Sequence, residues 1–259
     1  MHSEDVMSPD SLALALTRMC PSIRLVHALL IDQSSSMKEH AGAVRVKLAE
    51  QINALRGSRG REVTAMLIVT YDDAWHLALA PTLILAMPKT VPYEPQQATN
   101  LYRAYGQVVD RLLDWYRSTR DQPDAPKLML TLLCDGENSP YKQLLLENNG
   151  GNELLASVMK QRRLSPSDAF GVAVRQIIAR EQATARAASR DLLEHGISVE
   201  VIGFGIASDA IKDDLLLTKA IGLTVAGNQE GLDRAMASVT DRVRDAMALA
   251  HTGNTDNDK

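Results

Sequence analysis

Cysteine is scarce in this 259-residue chain, which has only Cys20 and Cys134. They lack any metal-ligand spacing, which excludes cysteine-based zinc sites and disulfide scaffolds, and each reads as a buried free thiol. Such usage fits a reducing cytosol. Long apolar runs are also missing: nothing approaches the roughly eighteen residues of a membrane span. The opening stretch is acidic ahead of a short apolar run at residues 12–16, unlike a signal peptide. The expected location is therefore the cytoplasm. Charge of one sign is not in excess either, with 28 Lys+Arg against 32 Asp+Glu, a formal net charge of -4 and a pI near 5.9. Electrostatics give no reason to expect nucleic acid as a partner. The phosphate-binding pattern G-x-x-x-x-G-K-[ST] and the hydrolase elbow G-x-S-x-G are absent. Gly203 and Gly205 lack the rest of a dinucleotide fingerprint and come late in the chain. The six histidines do not cluster in sequence, and His27 reads as a core residue inside a strand.

What is present is an alternation of apolar runs and amphipathic stretches, the mark of a sheet covered by helices. Hydrophobic residues make up 45% of the chain, enough in a chain of this length for a core without crosslinks. Strands are predicted at 23–31, 63–71, 75–79, 128–134, 198–204 and 223–226. Helices are predicted at 37–55, 100–117, from Ser167 or Asp168 to His195-Gly196, at 209–220 and at 230–249. The proline-studded stretch 81–95 reads as loop. Residues 139–166 fit no element of this pattern and read as an insertion, with NNGGN at 148–152 and a basic cluster at Lys160, Arg162 and Arg163 that reads as a solvated face. The expected organisation is an N-terminal extension at 1–22, one domain at 23–249, and a polar, disordered tail at 250–259.

Three separated segments place oxygen ligands at the ends of apolar runs. Asp32, Ser34 and Ser36 follow the first strand in D-x-S-x-S, Asp135 follows the 128–134 strand, and Thr99 precedes the helix between them. Doubly wound sheets bind ligands beyond the carboxyl ends of the strands where strand order reverses. If those two strands flank the reversal, Asp32 and Asp135 converge. Mg²⁺ takes hard oxygens, uses one or two carboxylates and keeps waters; His or Cys would mark a softer ion. D-x-S-x-S alone arises by chance about once per few thousand positions. Its place between a strand and a helix, with Thr99 and Asp135 in order, is far more restrictive. The competing reading makes Asp32 and Ser34 an Asx-turn and cap, and Asp135-Gly136 a plain turn. Glu137 and Asn138 could orient ligands or simply be polar loop residues. Asp72 and Asp73 could lie near the site, but suit a hairpin turn.

These residues resemble the metal-ion-dependent adhesion site (MIDAS) of the von Willebrand factor A (vWA) family, with Asp32-Gln33-Ser34-Ser35-Ser36, Thr99 in QQATNLYRAY and Asp135 in CDGEN. The stretches VTYDDAWHLAL and VEVIGFG are similar to the family's hairpin and fifth strand. The resemblance spans most of the chain and implies an α/β, doubly wound, mostly parallel six-stranded sheet with one antiparallel edge strand and helices on both faces. It implies a divalent cation, Mg²⁺ or else Mn²⁺ or Ca²⁺, held directly by the serines and partly through water by the aspartates. Two departures stand out. Gln97-Ala98 occupy the place where the family often has glycine, and the insertion after Asp135 is long.

By that resemblance the chain is expected to be an intracellular interaction module rather than an enzyme. It would capture an acidic side chain of a partner protein, as an adaptor of an AAA+ ATPase or a stress-response complex. The alternative is a Mg²⁺-dependent phosphohydrolase with Asp32 as nucleophile. The haloacid dehalogenase pattern, however, needs a second aspartate where this chain has Ser34.

Overall fold

The computed structural model describes residues 9–19, 22–95, 98–122, 124–135, 138, 140, 142–147 and 149–252. Six strands form one sheet: β1 (Leu25–Asp32), β2 (Thr64–Tyr71), β3 (Trp75–Leu83), β4 (Lys127–Cys134), β5 (Ser198–Phe204) and β6 (Ile221–Val225), in the order β3-β2-β1-β4-β5-β6. All neighbours are parallel except β3, which returns antiparallel along β2 at one edge. The helices are α1 (Pro9–Thr17), α2 (Ala41–Arg56), α3 (Leu101–Thr119), α4 (Lys142–Glu147), α5 (Gly151–Arg162), α6 (Pro166–Glu194), α7 (Ser208–Leu215) and α8 (Gln229–Thr252).

Period-two alternation splits the apolar runs between the two faces. In β1, Val26, Ala28 and Leu30 join α1, α3 and the C-terminal half of α6, while Leu29 and Ile31 join α2 and α8. Both faces are covered, so the central strands read as unbroken apolar runs, as parallel strands do. The face of α3 expected from sequence is the buried one: Tyr105, Val108, Val109, Leu112 and Leu113 are each 0% exposed.

His27 is fully buried in the central strand, with Nε2 bonded to Thr131 Oγ1 at 3.0 Å. Its Nδ1 has no partner among the described residues. Burial pulls this imidazole down to about 3. The unfolded chain takes up the proton below its ordinary value of about 6.5 and the folded protein does not, so stability falls as pH drops through 6.5. This residue alone should cost about 2 kcal/mol between pH 7 and pH 5. Urea unfolding of His27→Gln, which keeps a partner for Thr131, should show a correspondingly flatter pH profile; an unchanged profile contradicts the assignment.

Several boundaries differ from the sequence reading. The stretch from Pro81 is not loop at its start, because β3 continues to Leu83; Pro81 is tolerated on an edge strand, where a missing N–H costs no ladder bond. The helix expected from Met37 opens as a 3₁₀ segment, Ser35–His40, before α2. Helix α6 is capped by Ser165 with Pro166 at its start, not by Ser167 or Asp168; the Ser165 hydroxyl accepts the Asp168 N–H at 3.3 Å. Helix α7 stops at Leu215, earlier than expected, because Leu216 turns left-handed at φ 57°. The N-terminal stretch is not a mere appendage: α1 buries Leu12 and Leu16 against α3 and β3. Residues 139–166 contain no strand among those described. They fold as α4 and α5, which build a satellite core of Leu145, Leu146 and Val158 on the first turns of α6. Lys160, Arg162 and Arg163 are exposed. Cys20, Asn148 and the tail at 253–259 lie outside the described residues.

Candidate metal centre

Strands β1 and β4 are adjacent, with Ile31 opposite Leu133, so Asp32 and Asp135 leave the sheet side by side where strand order reverses. The D-x-S-x-S loop then folds back on itself. Ser34 N–H donates to Asp32 Oδ1 at 2.7 Å, an Asx-type closure, and the hydroxyls of Ser34 and Ser36 lie 2.8 Å apart. Ser36 in turn donates to Asp135 Oδ2. Asp32, Ser34, Ser36 and Asp135 are thus one continuous polar cluster. The Asx-turn is correct in geometry, but Ser34 makes no side-chain cap bond to the 3₁₀ segment, and Asp32 Oδ2 is left buried without a hydrogen-bond partner among the described residues.

Thr99 is placed differently. It is 2% exposed and sits in the stretch before α3, and it makes no hydrogen bond to the other four among the described residues. Its neighbour Asn100 caps α3 through the Arg103 N–H, and the Asn100 backbone N–H donates to the Asp72 carbonyl at 2.7 Å. Gln97 and Glu137 lie outside the described residues. Ala98 is buried at 9% exposure, and both amide atoms of Asn138 are buried with no partner among the described residues.

Burial first, and then the charge of Asp135, push the Asp32 carboxyl up to about 7, against the opposing hydrogen bonds from Ser34. Two facing carboxylates, one of them fully buried, need a proton or a cation to balance them. Ser36 is exposed while Asp32 is 0% and Ser34 3% exposed, so the cluster reaches solvent at Ser36.

The donor set therefore fits a hard divalent ion. Asp32, Ser34, Ser36 and Asp135 supply oxygen only, and the orphaned Asp32 Oδ2 is the kind of atom such an ion satisfies. No group of three or more His, Cys, Asp or Glu side chains that could by themselves hold a metal ion occurs among the described residues.

Sequence reasoning missed the residues that hold this cluster. Tyr93 donates its hydroxyl to the Asp32 carbonyl at 2.6 Å from the proline-rich stretch. Gln33, which sequence alone left without a role, donates Nε2 to Asp72 Oδ2 at 3.1 Å. Burial raises the carboxyl of Glu181 in α6, and Asn100, Arg103 and Asn149 oppose that rise. Only Asn100 carried a readable signal, an N-cap residue ahead of an amphipathic run. Gly203 and Gly205 are structural: a Cβ on Gly203 would collide with the Ile206 carbonyl, and Gly205 has φ +75°.

The sheet order, the antiparallel edge strand and the helices on both faces define an α/β, vWA-like fold. No family model and no curated protein matches the sequence. Among solved structures, the chain is similar to the pilus adhesin SpaC from Lactobacillus rhamnosus GG, with a TM-score of 0.55 and 10% identity over 87% of this chain and 30% of that one. It is also similar to a D319A mutant of the PilB minor pilin from Streptococcus sanguinis, with a TM-score of 0.51 and 14% identity over 89% of this chain and 63% of that one. The chain thus spans less than two thirds of either protein. At these identities the likeness is one of fold. No helix among the described residues is long and apolar enough to cross a membrane.

Proposed function

We propose that the chain is a protein-interaction module that binds a divalent cation, Mg²⁺ foremost, through Asp32, Ser34, Ser36, Thr99 and Asp135. The cation would then capture an acidic group of a partner. The observation that carries this reading is the convergence of Asp32 and Asp135 at the strand reversal, with Asp32 Oδ2 buried and unpartnered. Such an ion supplies a point of positive charge with positions open to an incoming carboxylate, while the serine hydroxyls orient it. Partners of the AAA+ ATPase or stress-response kind, and a cytoplasmic location, belong to this proposal. The vWA resemblance supports the former, and the scarcity of cysteine supports the latter.

Burial also favours binding over catalysis. Asp32 is 0% exposed, a position suited to a ligand rather than to an attacking nucleophile. Affinity capture of partners with Mg²⁺ and with a chelator, using wild type and Asp32→Ala, tests the reading. Capture should require both the ion and Asp32. Capture indifferent to both would overturn it, and phosphoester turnover lost in Asp32→Asn would replace it with an enzyme.

A further inference from the structure

Asp72 closes the β2–β3 hairpin, and that role uses two of its bonds: its N–H to the Ala74 carbonyl at 2.8 Å, and its Oδ1 to the Ala74 N–H at 2.9 Å. Its remaining acceptors do something a hairpin does not need. Oδ2 accepts Nε2 of Gln33, which lies between Asp32 and Ser34, and the carbonyl accepts the N–H of Asn100, which follows Thr99. His76 Nε2 lies 3.2 Å and 3.3 Å from the two carboxylate oxygens, and Asp72 is only 7% exposed. The Gln33 N–H also donates to the Tyr71 carbonyl at 2.9 Å, so the D-x-S-x-S loop is tied twice to the end of β2.

Thr99 has no hydrogen bond to Asp32, Ser34, Ser36 or Asp135 among the described residues, whereas Asp72 bonds both its neighbour Asn100 and Gln33 of the D-x-S-x-S loop. We infer that Asp72 is a positioning residue for the metal centre, holding the D-x-S-x-S loop by its side chain and the Thr99 segment by its backbone. This inference rests on the metal reading above. Groups that orient ligands from outside are worth about 10–100-fold in metal affinity.

The experiment is calorimetric titration of Mn²⁺ into purified wild type, Asp72→Ala, Asp72→Asn and Gln33→Ala, with each variant's fold checked by circular dichroism and thermal melting. Asp72→Ala and Gln33→Ala should weaken Mn²⁺ binding about tenfold or more. Gln33→Ala touches no hairpin bond, so it answers the question even if Asp72→Ala unfolds. Asp72→Asn can still accept the Ala74 N–H and donate to a flipped Gln33 amide, so it should bind within a few-fold of wild type. A merely structural role predicts losses that follow melting temperature instead. Wild-type affinity in folded Asp72→Ala and Gln33→Ala overturns the inference while leaving the metal site intact. So does an Asp72→Asn as weak as Asp72→Ala. Absence of Mn²⁺ binding in wild type overturns the metal reading itself.

Discussion

At pH 8, Mg²⁺ at about a hundred times its dissociation constant should raise the melting temperature of the wild-type chain by about 5–10 °C, and should leave Asp32→Asn unmoved. The stabilisation comes from an ion that binds the folded state alone, worth about 2.7 kcal/mol at that excess. The ion-free proteins should rank in the opposite order, with Asp32→Asn melting above wild type. Asp32 sits at about 7 when folded, raised by burial and by Asp135, against an ordinary value near 3.8. The folded protein therefore holds this proton more tightly than the unfolded chain does. That contribution is full below the unfolded value and is lost as pH rises through about 7. At pH 8 the carboxylate is charged, buried and beside another, and asparagine removes that penalty. At pH 5 the proton competes with the ion, so the Mg²⁺ shift should shrink. Equal Mg²⁺ shifts in both proteins, measured by differential scanning calorimetry, would contradict the assignment of Asp32.

The second large effect lies on the other half of the sheet. Glu200 in β5 is 1% exposed, with Oε1 held by Arg242 Nε at 2.8 Å and by Ser238 Oγ at 3.1 Å. Burial raises this carboxyl, and the Arg242 charge opposes that rise. Arg242→Ala should destabilise by about 1–3 kcal/mol, because it strands a buried charge that Ser238 alone still holds rather than deleting a favourable contact. Glu200 already titrates above its unfolded value. Losing Arg242 raises it further, so the deficit should be small in acid and grow as pH rises toward 8. Glu200→Gln in the Arg242→Ala background should recover most of the loss. Chemical denaturation at pH 5 and pH 8 reads both effects, and a deficit independent of pH would contradict this account.

Much of this architecture could be read from the chain, and the physical reason is periodicity. Buried parallel strands leave unbroken apolar runs such as 128–134, and α3 shows its inner face as Tyr105, Val108, Val109, Leu112 and Leu113. The strand-end rule brings Asp32 and Asp135 together on the condition that their strands flank the reversal, and the sheet order meets that condition. Side-chain bonds between distant segments left no such trace. Nothing in a single sequence links Gln33 to Asp72, or Tyr93 to the Asp32 carbonyl, because those pairs are joined only by folding. Pro81 misled for a related reason: proline ends strands in general, and only the sheet order reveals that β3 lies on an edge. The insertion was recognisable by what it was not. Its own packing depends on α6, whose early turns supply Ala169, Ala173 and Ile177 to the satellite core.

The central claim is that one divalent ion is held where β1 and β4 end. Anomalous diffraction from crystals grown with Mn²⁺ tests it most directly. The account predicts a single strong peak within about 2.0–2.4 Å of the Ser34 and Ser36 hydroxyls, with Asp32, Thr99 and Asp135 around it directly or through water. It also predicts that the peak vanishes in Asp32→Asn crystals. Density elsewhere on the molecule with none at this cluster, or a peak unchanged in Asp32→Asn, would contradict it.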